Sequence, residues 1–243
     1  MQKLPPFFGT KIISEINLAE VISLINKEVL FAARWEFRQG QSSEQWQELK
    51  QQKIEPIFEK IVFLIQTKHI FNQAKIVYGY FKSKKEGNLL FIYDDQEKPH
   101  KFDFPRQRQT PNLCVADFFE SGFVALQLVT LGNDVIKYGE KLFAIKNYSD
   151  LFYLKGFAAE ATEALAQYSH QNIRQELGLS MDQGERFSFG YPALPDLFGQ
   201  KKLYNLLKGV KIGVKLSETM QLIPEYSTSA LISISPQAKF FRP

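Results

Sequence analysis

The chain has 243 residues, 44% of them hydrophobic, enough for a sizeable core and unlike a disordered composition. With 30 Lys and Arg against 26 acidic residues its net charge is +4, short of the steep basic excess of a nucleic-acid binder, so no nucleic-acid partner is expected. One cysteine, Cys114, excludes an internal disulfide. No signal peptide is recognised, and no apolar run reaches the roughly 18 residues that span a bilayer, so a cytoplasmic protein without a membrane partner is expected.

Pro5-Pro6 keeps the opening segment extended. A helix is expected from Asn17, an N-cap paired with Glu20, with Leu18, Val21, Ile22, Ile25 and Val29 on one apolar face. A second begins near Ser42 or Ser43, is interrupted at Pro56 and continues through Ile65. Residues 74–80 and 89–93 are β-branched and aromatic and flank Lys84-Lys85-Glu86-Gly87-Asn88, a hairpin pattern. Strands follow at 101–104 and 123–130, then a helix from about Leu151 to Leu177 stopped by Gly178. After a Pro- and Gly-rich loop come a short helix near 200–207 and strands through Ser235. The order helix–helix–strands–helix–strands indicates α+β with a mostly antiparallel sheet. With neither repeats nor a linker, residues 1–243 are expected as one domain, helical over about 1–70 and mixed over about 71–243. Cys114 lies in an apolar run and is expected to be buried packing. The lysine groups at 82–85 and 201–215 are expected as solvated faces, or as a dock for an acidic protein.

The three histidines show no metal-ligand spacing, so no metal site is expected, and no Walker loop or G-x-G-x-x-G is present. A ligand-binding module fits better than a hydrolase. The densest constellation is Arg186-Phe187-Ser188-Phe189-Gly190-Tyr191-Pro192-Ala193-Leu194-Pro195-Asp196. Arg186 offers a planar fork for a carboxylate. Gly190 permits close backbone approach, Pro192 and Pro195 stiffen the loop, and Tyr191 adds a flat face and a hydroxyl. These suit an amino-acid-like ligand with a positive centre. A rigid turn with Arg186 in a surface ion pair is the plainer alternative.

This stretch resembles the R-x-x-x-G-Y-P-A-C-P signature of the activation domain of cobalamin-dependent methionine synthase. Further blocks resemble the family in its order, among them Pro5-Pro6-Phe7-Phe8-Gly9-Thr10, Trp35-x-Phe37-Arg38-x-Gly40, Phe104-Pro105-Arg106-Gln107, Leu113-Cys114-Val115-Ala116-Asp117-Phe118-Phe119, Glu163-Ala164-Leu165-Ala166-Gln167-Tyr168-x-His170 and Pro236-x-Ala238-Lys239-Phe240-Phe241. The resemblance implies a twisted sheet flanked by helices. It also implies a module that binds S-adenosylmethionine and supports reductive methylation of cob(II)alamin, with an electron from flavodoxin or a similar donor. The cobalamin is expected on a cobalamin-binding domain in the same or a separate chain, and this chain is not expected to make methionine alone. Arg186 is then expected to grip the ligand carboxylate, and Ser188 and Gly190 to make backbone contacts. Tyr191 lies beside the ligand with Pro192 and Ala193, Glu163 faces its ammonium, and Phe240 and Phe241 touch it. Glu160, Glu163, Gln167 and Arg174 also fit an ordinary solvated helical stripe. The chain departs from the family at Leu194, where Cys stands in the motif, at Ser235, where His precedes the terminal Pro, and at Lys3, where some members carry an acidic residue. A docking module that holds a cobalamin protein or flavodoxin without using S-adenosylmethionine is the alternative. A small-molecule methyltransferase is weaker, because no glycine-rich Rossmann turn is present.

Overall fold

The computed structural model describes residues 4–37 and 42–241; Lys3, Arg38 and Gly40, named above, lie outside them. After the Pro5-Pro6 arm, β1 (Gly9–Ile13) is extended. Asn17 caps α1 (Leu18–Ser23), its side-chain oxygen accepting the Glu20 N–H at 3.5 Å while its amide donates to the Glu20 carboxylate at 2.7 Å. The expected apolar face does not run on to Val29. Asn26 caps a new segment, α2 (Lys27–Val29), which passes directly into a π turn over Leu30–Arg34. That second start rotates Leu30 and Phe31 into the core and leaves Val29 exposed.

Ser42 caps α3 (Ser43–Leu49), which continues through a π turn at Lys50–Ile54 into α4 (Glu55–Thr67). The expected interruption at Pro56 is therefore a widening of the helix. The missing proline N–H falls where the hydrogen-bond ladder has already left the α pattern.

The long strand β2 (Lys75–Glu86) turns at Gly87-Asn88 into β3 (Leu89–Tyr93). The hairpin loop is shorter than the sequence suggested, because Ser83–Glu86 pair with Leu89–Ile92. Gly87, at φ 60°, supplies the left-handed residue that a two-residue hairpin turn needs. The lysines here are strand residues neutralised by acids: Lys84 with Glu86 at 2.6 Å and Lys85 with Glu120 at 2.9 Å. There follow β4 (Pro99–Asp103), β5 (Phe123–Thr130), α5 (Asp134–Ala144), α6 (Tyr148–Glu176), β6 (Glu185–Phe187), α7 (Phe198–Leu207), β7 (Lys215–Leu216), β8 (Leu222–Ile223) and β9 (Ser227–Ser233). The amphipathic α5 was not anticipated from the sequence. α6 ends where Gly178 takes φ 60°.

The main sheet has the order β4-β3-β2-β5-β9-β6, with β1 beside the first half of β2, and every pairing is antiparallel. Period-two alternation splits each central strand between two cores. Ile76, Tyr78, Tyr80, Ala125 and Ile232 face the helical side with α1, α4, α5 and α6. Val77, Phe81, Leu126, Leu128 and Leu231 face α7 and the turn at Val115–Phe118, where Cys114 is fully buried as expected. The architecture is thus α+β, a sheet with helices on both faces. α6 is pinned at its C-terminal end, where Glu176 accepts hydrogen bonds from Tyr78 Oη at 2.7 Å, Tyr80 Oη at 2.9 Å and Lys11 Nζ at 3.2 Å. This clasp fixes the rotation of α6 over the sheet, and with it the position of Glu163.

Candidate functional site

The sequence alternation around Arg186 becomes a division between core and cavity. β6 pairs with β9, Arg186 opposite Ile232 and Phe187 opposite Leu231. Phe187 and Phe189 enter the core away from α6, Phe187 stacked on Phe118 at 5.8 Å and Phe189 on Phe102 at 6.3 Å. Arg186 and Ser188, one residue out of phase with them, line a cavity of about 150 Å³ together with Glu163, Tyr191, Ala193 and Phe240. Six of the nine residues singled out in the sequence therefore meet around one small space.

The loop after β6 is a closed turn. Gly190 N–H donates to Leu194 O at 2.7 Å, and Leu194 N–H donates to Tyr191 O at 2.9 Å. Gly190 sits at φ 83°, where a side chain is strained, and Pro192 lies inside the turn it helps to stiffen. Both shape the loop, whereas Tyr191 at its tip is half exposed and donates its hydroxyl hydrogen to Glu163 Oε1 at 3.0 Å. The other Glu163 oxygen faces Arg186 Nη2 at 3.9 Å, a charge contact too long for a hydrogen bond. Among the described residues no acceptor lies within hydrogen-bonding distance of the Arg186 guanidinium, although its side chain is only 21% exposed.

Burial pushes the Arg186 guanidinium down from its ordinary value, against the pull of Glu163 and Glu185, but an arginine stays cationic. Burial, then Glu163, raises the Tyr191 hydroxyl, which stays protonated and donating. Beneath the site, burial followed by the charges of Arg174 and Arg186 pushes His170 down to about 3, so it is neutral at physiological pH. Arg174 holds the segment leading into β6 by donating to Gln183 O at 2.7 Å and Gly184 O at 3.0 Å. The solvated-stripe alternative for α6 therefore fails. Glu160 and Arg174 are buried with partners, and Glu163 stands at a cavity wall.

The two terminal phenylalanines separate. Phe240 is exposed at the cavity, while Phe241 turns into the core 6.2 Å from Phe118. The expectation that both touch one ligand does not match this placement, because successive side chains of an extended segment point to opposite sides. Leu194, in place of the family cysteine, is buried in the core and not among the residues lining the cavity. Ser235 accepts the backbone N–H of Gln237 at 3.2 Å.

Beyond Tyr191 and Glu163, which form a shared wall, a larger open cavity of about 820 Å³ is lined by Arg34, Thr162, Gln200, Gln221 and Thr228, among others. Sequence reasoning missed Arg34. It is anchored by Nε to the buried Glu160 at 2.9 Å, a pairing across 126 positions that no local spacing signals. Among the described residues no group of three or more His, Cys, Asp or Glu is placed to hold a metal, and no helix is long and apolar enough to cross a membrane.

Comparison with known proteins adds three findings. The family described as "Vitamin B12 dependent methionine synthase, activation domain" matches residues 17–242. Methionine synthase of Mycobacterium tuberculosis is 34% identical over 272 residues, and that of Mycobacterium leprae 33%; each alignment takes in 98% of this chain and 23% of the relative. The chain thus spans about a quarter of the length of these relatives. The solved structure described as the MetH reactivation domain bound to AdoHcy superposes with a TM-score of 0.82 at 21% identity, over 99% of this chain and 82% of that one.

Proposed function

This chain belongs to the vitamin B12-dependent methionine synthase activation domain family, and from that premise we propose that it binds S-adenosylmethionine at the Arg186–Glu163 cavity and serves the reactivation of cobalamin. The observation that carries this reading is the half-buried Arg186 guanidinium. It lacks a hydrogen-bond acceptor among the described residues and shares a small cavity with the carboxylate of Glu163. A cation and an anion held 3.9 Å apart at one rim complement the carboxylate and ammonium of an amino-acid moiety. AdoHcy, named with the solved relative, is S-adenosylmethionine without its methyl group, which supports the same ligand class here.

Bound S-adenosylmethionine would supply the methyl group for a partner's cobalamin reduced by one electron from the donor, and would leave as S-adenosylhomocysteine. The chain's own residues hold and orient. Arg186 grips the carboxylate through paired N–H donors. Glu163 exchanges its Tyr191 hydrogen bond for the ammonium, and Ser188, Gly190, Pro192 and Ala193 form the loop wall against which the ligand rests. Phe240 covers the outer side and Phe241 secures that segment from the core. Holding both ends of the methionine moiety leaves the methyl-bearing sulfur one orientation, which is the contribution of positioning. The cobalamin is carried by a cobalamin-binding domain in the same or a separate chain, and flavodoxin or a similar donor supplies the electron. The buried thiol of Cys114 accords with a cytoplasmic location.

Isothermal titration with S-adenosylmethionine tests this reading. The parent chain binds and Arg186→Ala binds about 100-fold more weakly. Unchanged affinity in the variant sinks the site, and silence in the parent leaves docking without S-adenosylmethionine as the better account.

A further inference from the structure

We propose that the tip of the α5–α6 hairpin is a self-association surface, on which a second copy of this chain docks about a twofold axis. Four exposed large apolar side chains, Phe143, Ile145, Tyr148 and Phe152, fall within residues 143–152. Phe143 and Tyr148 meet edge to face at 5.7 Å, so the projecting rings are held as a unit. Beside them α5 and α6 leave an apolar groove of about 270 Å³, with Val135, Gly139, Leu154 and Tyr226 buried along it and the exposed Phe143 among its walls. Gly139 lets the two helices close so far that a Cβ there would stand 3.2 Å from Leu151 Cδ1. A contiguous apolar patch of this kind marks a protein contact.

The patch carries both halves of a contact, and this identifies the occupant. A twofold contact presents the same surface from both copies, so it needs a projection and a recess, and both signs of charge, side by side. Ile145, 71% exposed, projects two residues beyond Phe143 of the groove wall. An apolar cavity of about 150 Å³ holds a benzene-sized group, so the groove has room for this side chain. Glu140 and Glu225 stand at the groove and Lys141 and Lys146 flank the projection; among the described residues none of these has an ion-pair partner. Nearby charges are by contrast paired, Lys60 with Asp150 at 2.6 Å and Lys137 with Asp134 at 3.4 Å. Glu140 and Lys146 lie on either side of Phe143 at equal distance along the chain. An axis beside that ring therefore sets Glu140 of one copy against Lys146 of the other, and does so twice, while each Ile145 enters the other copy's groove. A wholly acidic or wholly basic partner would leave one sign of charge unanswered. The groove shares no lining residue with the Arg186 cavity, so the contact is independent of the ligand held there.

Sedimentation velocity of the full chain tests this from about 1 µM to about 1 mM, the range in which contacts of modest size dissociate. Expected is a reversible monomer–dimer equilibrium that Ile145→Glu weakens about 100-fold, because both copies lose the buried side chain. Glu140→Lys and Lys146→Glu each set like charges together twice and weaken dimerisation about tenfold, whereas an equimolar mixture of the two dimerises as the parent does. All three positions are exposed, so the variants keep the parent's melting temperature. A parent that stays monomeric throughout overturns the proposal. So does a dimer indifferent to Ile145→Glu, which places the contact elsewhere, or a mixture no more associated than its components, which refutes the twofold pairing. Association that grows past the dimer means a head-to-tail contact and refutes it too.

Discussion

The carboxylate assignment of Arg186 can be isolated by removing the same interaction from both sides. Decarboxylated S-adenosylmethionine keeps the ammonium, the sulfonium and the nucleoside and lacks only the carboxylate. At an effective dielectric of about 20, two unit charges 4 Å apart attract by about 4 kcal/mol. Part of this is cancelled because the carboxylate gives up its hydration and comes to lie near Glu163, whose Oε2 is 3.9 Å from the guanidinium. A net of about 2–3 kcal/mol remains, the usual range for a hydrogen bond to a charged group. That corresponds to about 30- to 150-fold in affinity. The parent chain therefore binds the decarboxylated ligand about 100-fold more weakly than S-adenosylmethionine, whereas Arg186→Ala binds the two alike. Calorimetric titration of the four combinations gives the coupling directly. If Arg186→Ala still discriminates between the ligands by the parental factor, the carboxylate is held elsewhere and the orientation proposed for the ligand is wrong.

Three further outcomes concern the framework. The Glu176 clasp predicts that Glu176→Gln costs about 1–3 kcal/mol in urea denaturation, since one amide oxygen replaces two carboxylate acceptors serving Tyr78, Tyr80 and Lys11. Burial alone would raise this carboxyl, but its three donors outweigh burial and hold it below the usual range; its contribution is present above the unfolded pKa and is lost as pH falls through the folded one. His170 is held at about 3 in the fold, against about 6.5 unfolded, so the unfolded chain binds the extra proton in that window and stability declines as pH drops from about 6.5 toward 3. His170→Asn flattens that stretch of the stability–pH curve, and an unaltered slope contradicts the assignment. Finally, a Cβ at Gly199 would stand 2.3 Å from Phe189 Cε1. Gly199→Ala should therefore cost about 1–3 kcal/mol by overpacking, and it displaces the ring under the binding loop, weakening S-adenosylmethionine binding; an unchanged melting temperature refutes the crowding.

What the sequence by itself determined was local in origin. Asn17 and Gly178 marked helix ends because caps are made by neighbours. In Arg186-Phe187-Ser188-Phe189 the two phenylalanine rings share the core side, since strand side chains alternate whatever surrounds them. Motif resemblance brought the family and Glu163 into view. Local pattern was weaker where a second start intervened: Asn26 interrupts a face that looks continuous to Val29, and α5 escaped notice between stronger signals.

Tertiary structure decided the rest because the contacts are distant in sequence. Arg34 meets Glu160 across 126 positions, and the Glu176 clasp gathers Lys11, Tyr78 and Tyr80 from two strands. Phe240 and Phe241 read alike as residues, yet one lines the cavity and the other fills the core, a choice made by the surfaces on either side of that segment. The opposition of Glu163 to Arg186 belongs to the same class. Helix period and strand period each fix a face, but only the docking of α6 on the sheet brings those two faces to one cavity.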